Sequence, residues 1–154
     1  IEKWFGHAIC VGGIAEFFPN EDTFVTLDPN VHDQFGFPVA KIQSFLGEPE
    51  LKTLEFMSNK SKEILEASGA KEIVEVVSSY DFFSATHVFG TCRMGNDDET
   101  SVVNSSQRVH GIPNLLVTDA SVFPTSGGGE APSLTIEALS LRAADLLLNE
   151  LKKG

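Results

Sequence analysis

His87 is the residue whose type and surroundings best suit acid–base chemistry. The sequence contains four histidines, and this one lies three residues before the glycine-bounded run Gly-Thr-Cys-Arg-Met-Gly at residues 90–95. An imidazole ordinarily titrates near neutral pH, so it can accept a proton from a hydroxyl group. A lone histidine is more often a packing residue. The residues around His87 therefore decide how it is interpreted.

Other chemically capable side chains lie in or near a loop-rich region between residues 82 and 132. Regions of this kind often carry binding and catalytic residues. Glu130 could contact a hydroxyl group, and a solvated or helix-capping carboxylate is at least as good an interpretation. Cys10 and Cys92 are too few for a disulfide framework and lack the paired spacing of a zinc site. Cys92 could be a reactive thiol, although buried packing is the favoured interpretation.

The motifs around His87 occur in a specific order. They are His87 with residues 90–95, Ser101-Val102-Val103-Asn104, Arg108-Val109-His110-Gly111, Asn114-Leu115, Asp119-Ala120-Ser121-Val122, Pro124-Thr125 and Pro132-Ser133-Leu134-Thr135-Ile136. This order resembles the C-terminal region of the glucose-methanol-choline (GMC) family of FAD-dependent oxidoreductases, in which a histidine precedes a Gly-Thr-x-Arg-Met-Gly turn. Residues 25–38 are similar to the strand and turn that begin that region. The resemblance therefore spans nearly the whole chain.

The resemblance implies a catalytic role for His87. In this family the histidine takes the hydroxyl proton of a primary or secondary alcohol or sugar while hydride passes to FAD. A second His or Asn precedes the Pro-x-x-Thr-Ile block in relatives, and Ala131 holds that position here. A methyl group forms no hydrogen bond, so Glu130, Ser133 or water would replace it, or His87 would act alone.

The resemblance also implies contacts with FAD at several positions. These are Asp119, Ala120, Gly129, Pro132, Ser133 and Leu134. The Asp119 carboxylate would face ribityl hydroxyls, and the Ala120 amide would face the pyrophosphate. A helix that begins near Pro132 would direct unpaired N–H groups toward the flavin ring. The glycines at 127–129 would let the backbone approach that ring, or they would form only a flexible turn.

The elements that must position these residues predict a mixed α+β fold. Apolar residues 8–18 favour a buried strand with a bulge at the central glycines, and residues 23–27 and 38–42 favour further strands. Residues 49–67 have helical periodicity, with proline at the start and Gly69 at the end. Residues 73–77 and 114–118 are typical of strands. A final helix is expected from Pro132 or Ser133.

The resemblance assigns these elements to two domain portions. Residues 1–85 would form the sheet and one helix of the substrate-recognition domain. Residues 86–154 would form the active-site loop and the strand and helix that complete an FAD-binding Rossmann-like domain. No Gly-x-Gly-x-x-Gly motif follows a strand in this sequence. We therefore expect a C-terminal part of a longer protein, whose N-terminal FAD-binding half is its partner.

Composition excludes several other classes. The chain has 154 residues, 11 basic and 22 acidic side chains, and a formal charge of -11, which disfavours nucleic-acid binding. The sequence lacks an apolar run long enough to insert into a membrane, and it leaves the compartment open between cytoplasm and periplasm. Two alternatives to the oxidoreductase remain: a lyase without net redox on the same fold, and a non-catalytic binding module.

Overall fold

The computed structural model describes residues 4–81, 86–128 and 131–153. Its elements are strands β1 (Phe24–His32) and β2 (Pro38–Gln43), helix α1 (Glu48–Ala67), a 3-10 turn (Ala120–Val122) and helix α2 (Ser133–Leu151). The predicted α+β class is confirmed, with two helices and a two-stranded antiparallel sheet in the described residues. Neither helix is long and apolar enough to cross a membrane.

The chain divides into two units. The first unit combines Ile1–Ala15 with Leu46–Ala85, and the second combines Glu16–Phe45 with Thr86–Gly154. Helix α1 belongs to the first unit. The hairpin and α2 belong to the second.

Local sequence signals determine both ends of α1. Pro49 lies in its first turn, where the missing N–H is not needed and two glutamates complement the helix dipole. The helix is capped by Ser68, and Gly69 then leaves it with a φ of 87°, a conformation that glycine adopts without strain. The predicted helix over residues 49–67 is therefore confirmed.

Two predicted strands are wrong. Residues 8–18 and 73–77 form no strand, although both are rich in apolar or β-branched side chains. Many of these side chains are exposed, including Ile9, Ile14 and Val74. A strand is stable only when a neighbouring strand pairs with its backbone, and β-propensity alone does not supply that neighbour.

Gly13 packs closely against helix α1. A Cβ atom on Gly13 would lie 2.9 Å from the sulfur of Met57, so glycine at this position allows the close contact.

Strands β1 and β2 are both longer than the sequence predicted, and their pairing with each other was not predicted. The two strands pair from Phe24 with Gln43 to Leu27 with Ala40, and pairing resumes where His32 meets Pro38. Residues 28–31 bulge out between these pairs. The bulge is held by Asp28, whose Oδ1 accepts hydrogen bonds from the backbone N–H groups of residues 30 and 31 at 2.8 and 3.2 Å. The Asp-Pro-Asn sequence therefore forms a bulge within β1 and does not end it.

The core of the second unit lies where its loops meet α2. Val103, Val122 and Ala143 are at most 2% exposed, and Gln107 is also buried. The strand predicted at 114–118 is reduced to a single bridge between Arg108 and Leu116.

Helix α2 is attached to this core by polar contacts. The Ser140 hydroxyl donates to the Thr118 carbonyl and the Arg142 guanidinium donates to the Ser105 carbonyl, each at 2.7 Å. Arg108 also forms an ion pair with Glu150. The helix begins at Ser133, as the sequence predicted.

Candidate active site

The turn that follows His87 depends on a left-handed glycine. Gly90 has a φ of 84°, and its carbonyl accepts a hydrogen bond from the Arg93 N–H at 3.3 Å. A Cβ atom at Gly90 would lie 3.4 Å from the Phe123 carbonyl oxygen, so the two backbone segments are in contact. Glycine is favoured here both by its dihedral angle and by this close approach.

Two backbone hydrogen bonds join this turn to the segment that carries Asp119. The Cys92 N–H donates to the Ser121 carbonyl at 2.9 Å, and the Met94 N–H donates to the Val122 carbonyl at 2.8 Å. The rings of Phe89 and Phe123 stack beside this pairing, with centroids 5.4 Å apart. The structure therefore brings the segment after His87 together with the Asp119-Ala120 segment.

His87 itself lies at the surface in an uncommon backbone conformation. Its φ is 55°, which places a non-glycine residue in the left-handed region, and its side chain is exposed. Such conformations cost free energy, so they persist only where the surrounding structure holds them. They occur often at functional sites. The conformation presents an imidazole to solvent three residues before the turn at residues 90–95.

The far end of the turn is packed closely by a serine and a second histidine. A Cβ atom on Gly95 would lie 2.7 Å from the Ser101 Cβ, which is closer than real side chains approach. The Ser101 hydroxyl also lies 3.0 Å from Nε2 of His110, whose backbone N–H donates to the Val102 carbonyl. These contacts indicate a structural role for His110.

Asp119 caps the short 3-10 turn. Its Oδ1 accepts a hydrogen bond from the Ser121 backbone N–H at 2.7 Å. Hydrogen bonds from the Ser121 side chain and then from its backbone lower the pKa of Asp119 below its ordinary value of 3.8, and partial burial opposes them. The carboxylate is therefore held ionised at neutral pH.

The N-terminus of α2 has no side-chain cap. Pro132 occupies the N-cap position, and its side chain forms no capping hydrogen bond. The first turn contains no acidic residue. The first intrahelical bond runs from Ile136 to the Pro132 carbonyl. The N–H groups of the preceding residues, Ser133 to Thr135, therefore have no partner within the helix and suit an anionic group.

The other predicted site residues fall into two groups. Ala131 and Leu134 are exposed beside or within the first turn of α2. Gly129 and Glu130 lie outside the described residues. Sequence reasoning missed the contact between Gly95 and Ser101 and the ring stack at Phe89, because neither follows from residue spacing.

Comparison with known proteins identifies the class that these features define. Residues 19–140 match the family model described as GMC oxidoreductase, which represents the C-terminal region of these enzymes. The chain therefore belongs to the GMC oxidoreductase family, and the resemblance inferred from its motifs is confirmed.

The chain is similar to curated dehydrogenases and oxidases. It is 36% identical to 2-methyl-1,2-propanediol dehydrogenase of Mycolicibacterium austroafricanum, over 93% of this chain and 26% of that protein. It is 36% identical to paromamine 6'-oxidase of Streptomyces fradiae, over 86% of this chain and 24% of that protein. It is 30% identical to the fructose dehydrogenase large subunit of Gluconobacter japonicus, over 100% of this chain and 28% of that protein. The chain thus spans about a quarter of the length of these relatives.

The contact between Gly95 and Ser101 predicts a specific steric conflict. We expect Gly95→Ala to lower the free energy of unfolding by about 1–3 kcal/mol, the usual cost of overpacking. Adding Ser101→Gly should restore part of this loss, because it removes the atoms that the new methyl group meets. Urea unfolding of both single variants and the double variant measures the coupling. Strictly additive effects would contradict the packing.

The lowered pKa of Asp119 predicts a pH-dependent contribution to stability. Asn can accept the same backbone hydrogen bond, so Asp119→Asn removes only the charge. The native carboxylate should add less than about 1 kcal/mol at neutral pH, because it is exposed. This advantage is present above the ordinary value of 3.8 and disappears as the pH falls through the lowered pKa.

Urea midpoints at about pH 7 and about pH 3 measure the advantage of the Asp119 carboxylate. Ser121→Ala is the matched variant, because it removes the hydroxyl that lowers the pKa most and should reduce the advantage in part. A difference between the native protein and Asp119→Asn that stays constant with pH would be evidence against this role.

Proposed function

We propose that this chain is the C-terminal part of a flavoprotein that oxidises a primary or secondary alcohol or a sugar hydroxyl. The observation that carries the proposal is the exposed, left-handed His87 three residues before the hydrogen-bonded Gly-Thr-Cys-Arg-Met-Gly turn. Family membership supports an oxidoreductase, and the relatives reported above are named as dehydrogenases and oxidases. That the substrate is a primary or secondary alcohol or a sugar is our proposal and goes beyond family membership.

The donor groups of the chain fit a bound FAD. The uncapped N–H groups of Ser133 and Leu134 suit negative charge on the flavin, and the Ala120 N–H is proposed to face the pyrophosphate. The Asp119 carboxylate accepts hydrogen bonds from Ser121, and in this proposal it also accepts one from a ribityl hydroxyl. Gly129 and Pro132 would let the backbone pass close to the ring. When bound, FAD supplies the hydride acceptor.

His87 is proposed to act as the general base. A neutral imidazole accepts the hydroxyl proton of the substrate, and this raises electron density on the oxygen as the carbon loses hydride. The left-handed backbone limits where the ring can lie, and the turn after it is fixed through Gly90. In this proposal the proton passes from the substrate hydroxyl to the imidazole of His87.

Position 131 sets a constraint on the second hydrogen bond to the substrate oxygen. Ala131 contributes only a methyl group, so it cannot perform the role of the second His or Asn of relatives. Glu130, Ser133 or a water molecule would take that role, or His87 would act alone. Of these groups, Ser133 is exposed on the first turn of α2.

The domain assignment belongs to the same proposal. Residues 1–85 would contribute to the substrate-recognition domain, and residues 86–154 would complete the FAD-binding domain. The N-terminal half of the same protein would supply the ADP-binding βαβ unit as the partner of this chain. The length of the relatives supports the proposed N-terminal half, because the chain matches only about a quarter of each relative.

We predict that His87→Ala slows flavin reduction by alcohol at least about a hundredfold, because a general base is lost. The measurement is anaerobic stopped-flow absorbance of the full-length, flavin-loaded protein mixed with alcohols. His32→Ala is the matched control, since this exposed histidine ends β1 and has no proposed role in the reaction. Its reduction rate should equal that of the native protein.

Three results would contradict the proposal. Unchanged reduction by the His87→Ala variant would remove the assigned role. Substrate consumption with the flavin oxidised throughout would favour a lyase. An upstream reading frame without Gly-x-Gly-x-x-Gly between a strand and a helix would favour a non-catalytic module.

A further inference from the structure

Glu16 is an isolated charge in an apolar segment. It is the one charged side chain among residues 8–19, where its neighbours include Ile14, Phe17 and Phe18. The residue is half-buried. A carboxylate that loses part of its hydration needs a hydrogen-bond donor in place of water. A charge in this position therefore points to a polar contact.

The contact is with Thr125, which lies 109 residues later in the chain. The Thr125 hydroxyl donates a hydrogen bond to Oε1 of Glu16, and both residues belong to the second unit. Hydrogen bonds to a charged acceptor are stronger than those between neutral groups. The contact thus joins the start of the second unit to the loop that precedes α2.

The loop at residues 124–128 has few other attachments. Within the described ranges, no backbone–backbone hydrogen bond involves these residues, and the contact with Glu16 is the one hydrogen bond that their side chains form. Gly127 and Gly128 have left-handed φ values of 68° and 98°, and a Cβ atom on either would meet nothing within 4 Å. In the described part of the chain, the hydrogen bonding that locates this loop therefore comes from Glu16.

The loop connects the two parts of the candidate active site. Two residues before Thr125, the ring of Phe123 stacks on that of Phe89, which lies two residues after His87. In the other direction the loop leads to the uncapped N-terminus of α2. A displacement of the loop would therefore move the proposed base relative to the proposed flavin-binding turn.

We propose that Glu16 is a positioning residue. It holds the loop at residues 124–128 through Thr125 and so sets the position of His87 relative to the first turn of α2. The inference rests on the proposed function for its effect on the reaction, whereas the attachment of the loop needs no cofactor. An amide oxygen at residue 16 can accept the same hydrogen bond, so this role requires an acceptor and not a charge.

The first test measures the loop without any cofactor or substrate chemistry. The Ser126 hydroxyl is buried, so the thiol of Ser126→Cys should be shielded from a thiol reagent. Adding Glu16→Ala or Thr125→Val should speed its modification at least about tenfold, because local opening exposes buried groups. Adding Glu16→Gln should change the rate by less than about threefold, because its amide oxygen is still an acceptor. Peptide mass spectrometry of the full-length protein follows residue 126 separately from the native cysteines.

Equal modification rates with and without Glu16→Ala would overturn the proposal. Rapid modification of Ser126→Cys alone would also overturn it, since the loop would then not be held. Thr125→Val keeps the shape of its side chain and removes the donor from the other partner. It therefore tests the same contact if Glu16→Ala fails to fold.

The second test measures flavin reduction by alcohol in the full-length, flavin-loaded protein without oxygen. At saturating alcohol the rate should fall about tenfold in Glu16→Ala and in Thr125→Val, since misplaced groups react slowly. The double variant should be no slower than either single variant, because both changes remove one contact. Glu16→Gln should recover most of the rate with the native pH midpoint, because His87 remains the base. Glu21→Ala, which removes an exposed carboxylate in the following turn, is the matched control and should keep the native rate.

The kinetic outcomes separate positioning from other roles. A loss in Glu16→Gln as large as in Glu16→Ala would overturn the positioning role, because the charge itself would then act. Losses that multiply in the double variant would also overturn it, since Glu16 and Thr125 would then act separately.

The two tests also separate this inference from the proposed function. A native protein whose flavin no alcohol reduces would refute the proposed function alone, because thiol protection at residue 126 reports the loop without any reaction. Normal reduction of the native protein, with no effect of Glu16→Ala on either measurement, would refute the positioning role alone.

Discussion

The backbone pairing between residues 92–94 and residues 121–122 is the constraint on which the candidate site depends. It joins two segments that are far apart in sequence, and it places the buried Val122 next to the turn that follows His87. Two further contacts join the same segments: the ring of Phe89 stacks on that of Phe123, and Gly90 lies against the Phe123 carbonyl. Loss of this pairing would separate the proposed base from the Asp119 segment. The arrangement is therefore a property of tertiary pairing and not of either loop.

The helices could be predicted from the sequence because their signals are local. Pro49 and Gly69 define the ends of α1, and the apolar period of α2 continues from its first turn. Strands were predicted less well, since residues 8–18 and 73–77 have strand composition without a partner strand. Both strands of the hairpin were predicted from their composition, whereas their pairing with each other was not. Its bulge was missed because it depends on the Asp28 side chain.

The sequence predicts the candidate site as a set of residues, and the fold adds geometry that the sequence does not contain. The motif identified His87 and the family, and the fold then supplied the left-handed backbone at that residue, which the motif does not encode. Gly95 is similar: the motif requires a glycine, and the nearby Ser101 gives the physical reason. Asp119 is proposed to face a cofactor, and in the structure it caps a 3-10 turn, a position at which Asp is a favoured residue.

Net charge and local dipoles act in opposite directions in this chain. A formal charge of -11 repels an anionic cofactor, so favourable recognition must come from groups close enough to outweigh the distant charges. The first turn of α2 provides such groups, because it combines uncapped N–H donors with an absence of acidic side chains. Backbone donors need no lysine or arginine and do not titrate. An acidic chain can thus present a fixed positive pole, provided that contacts with the core, such as those of Ser140 and Arg142, hold the axis of α2 in place.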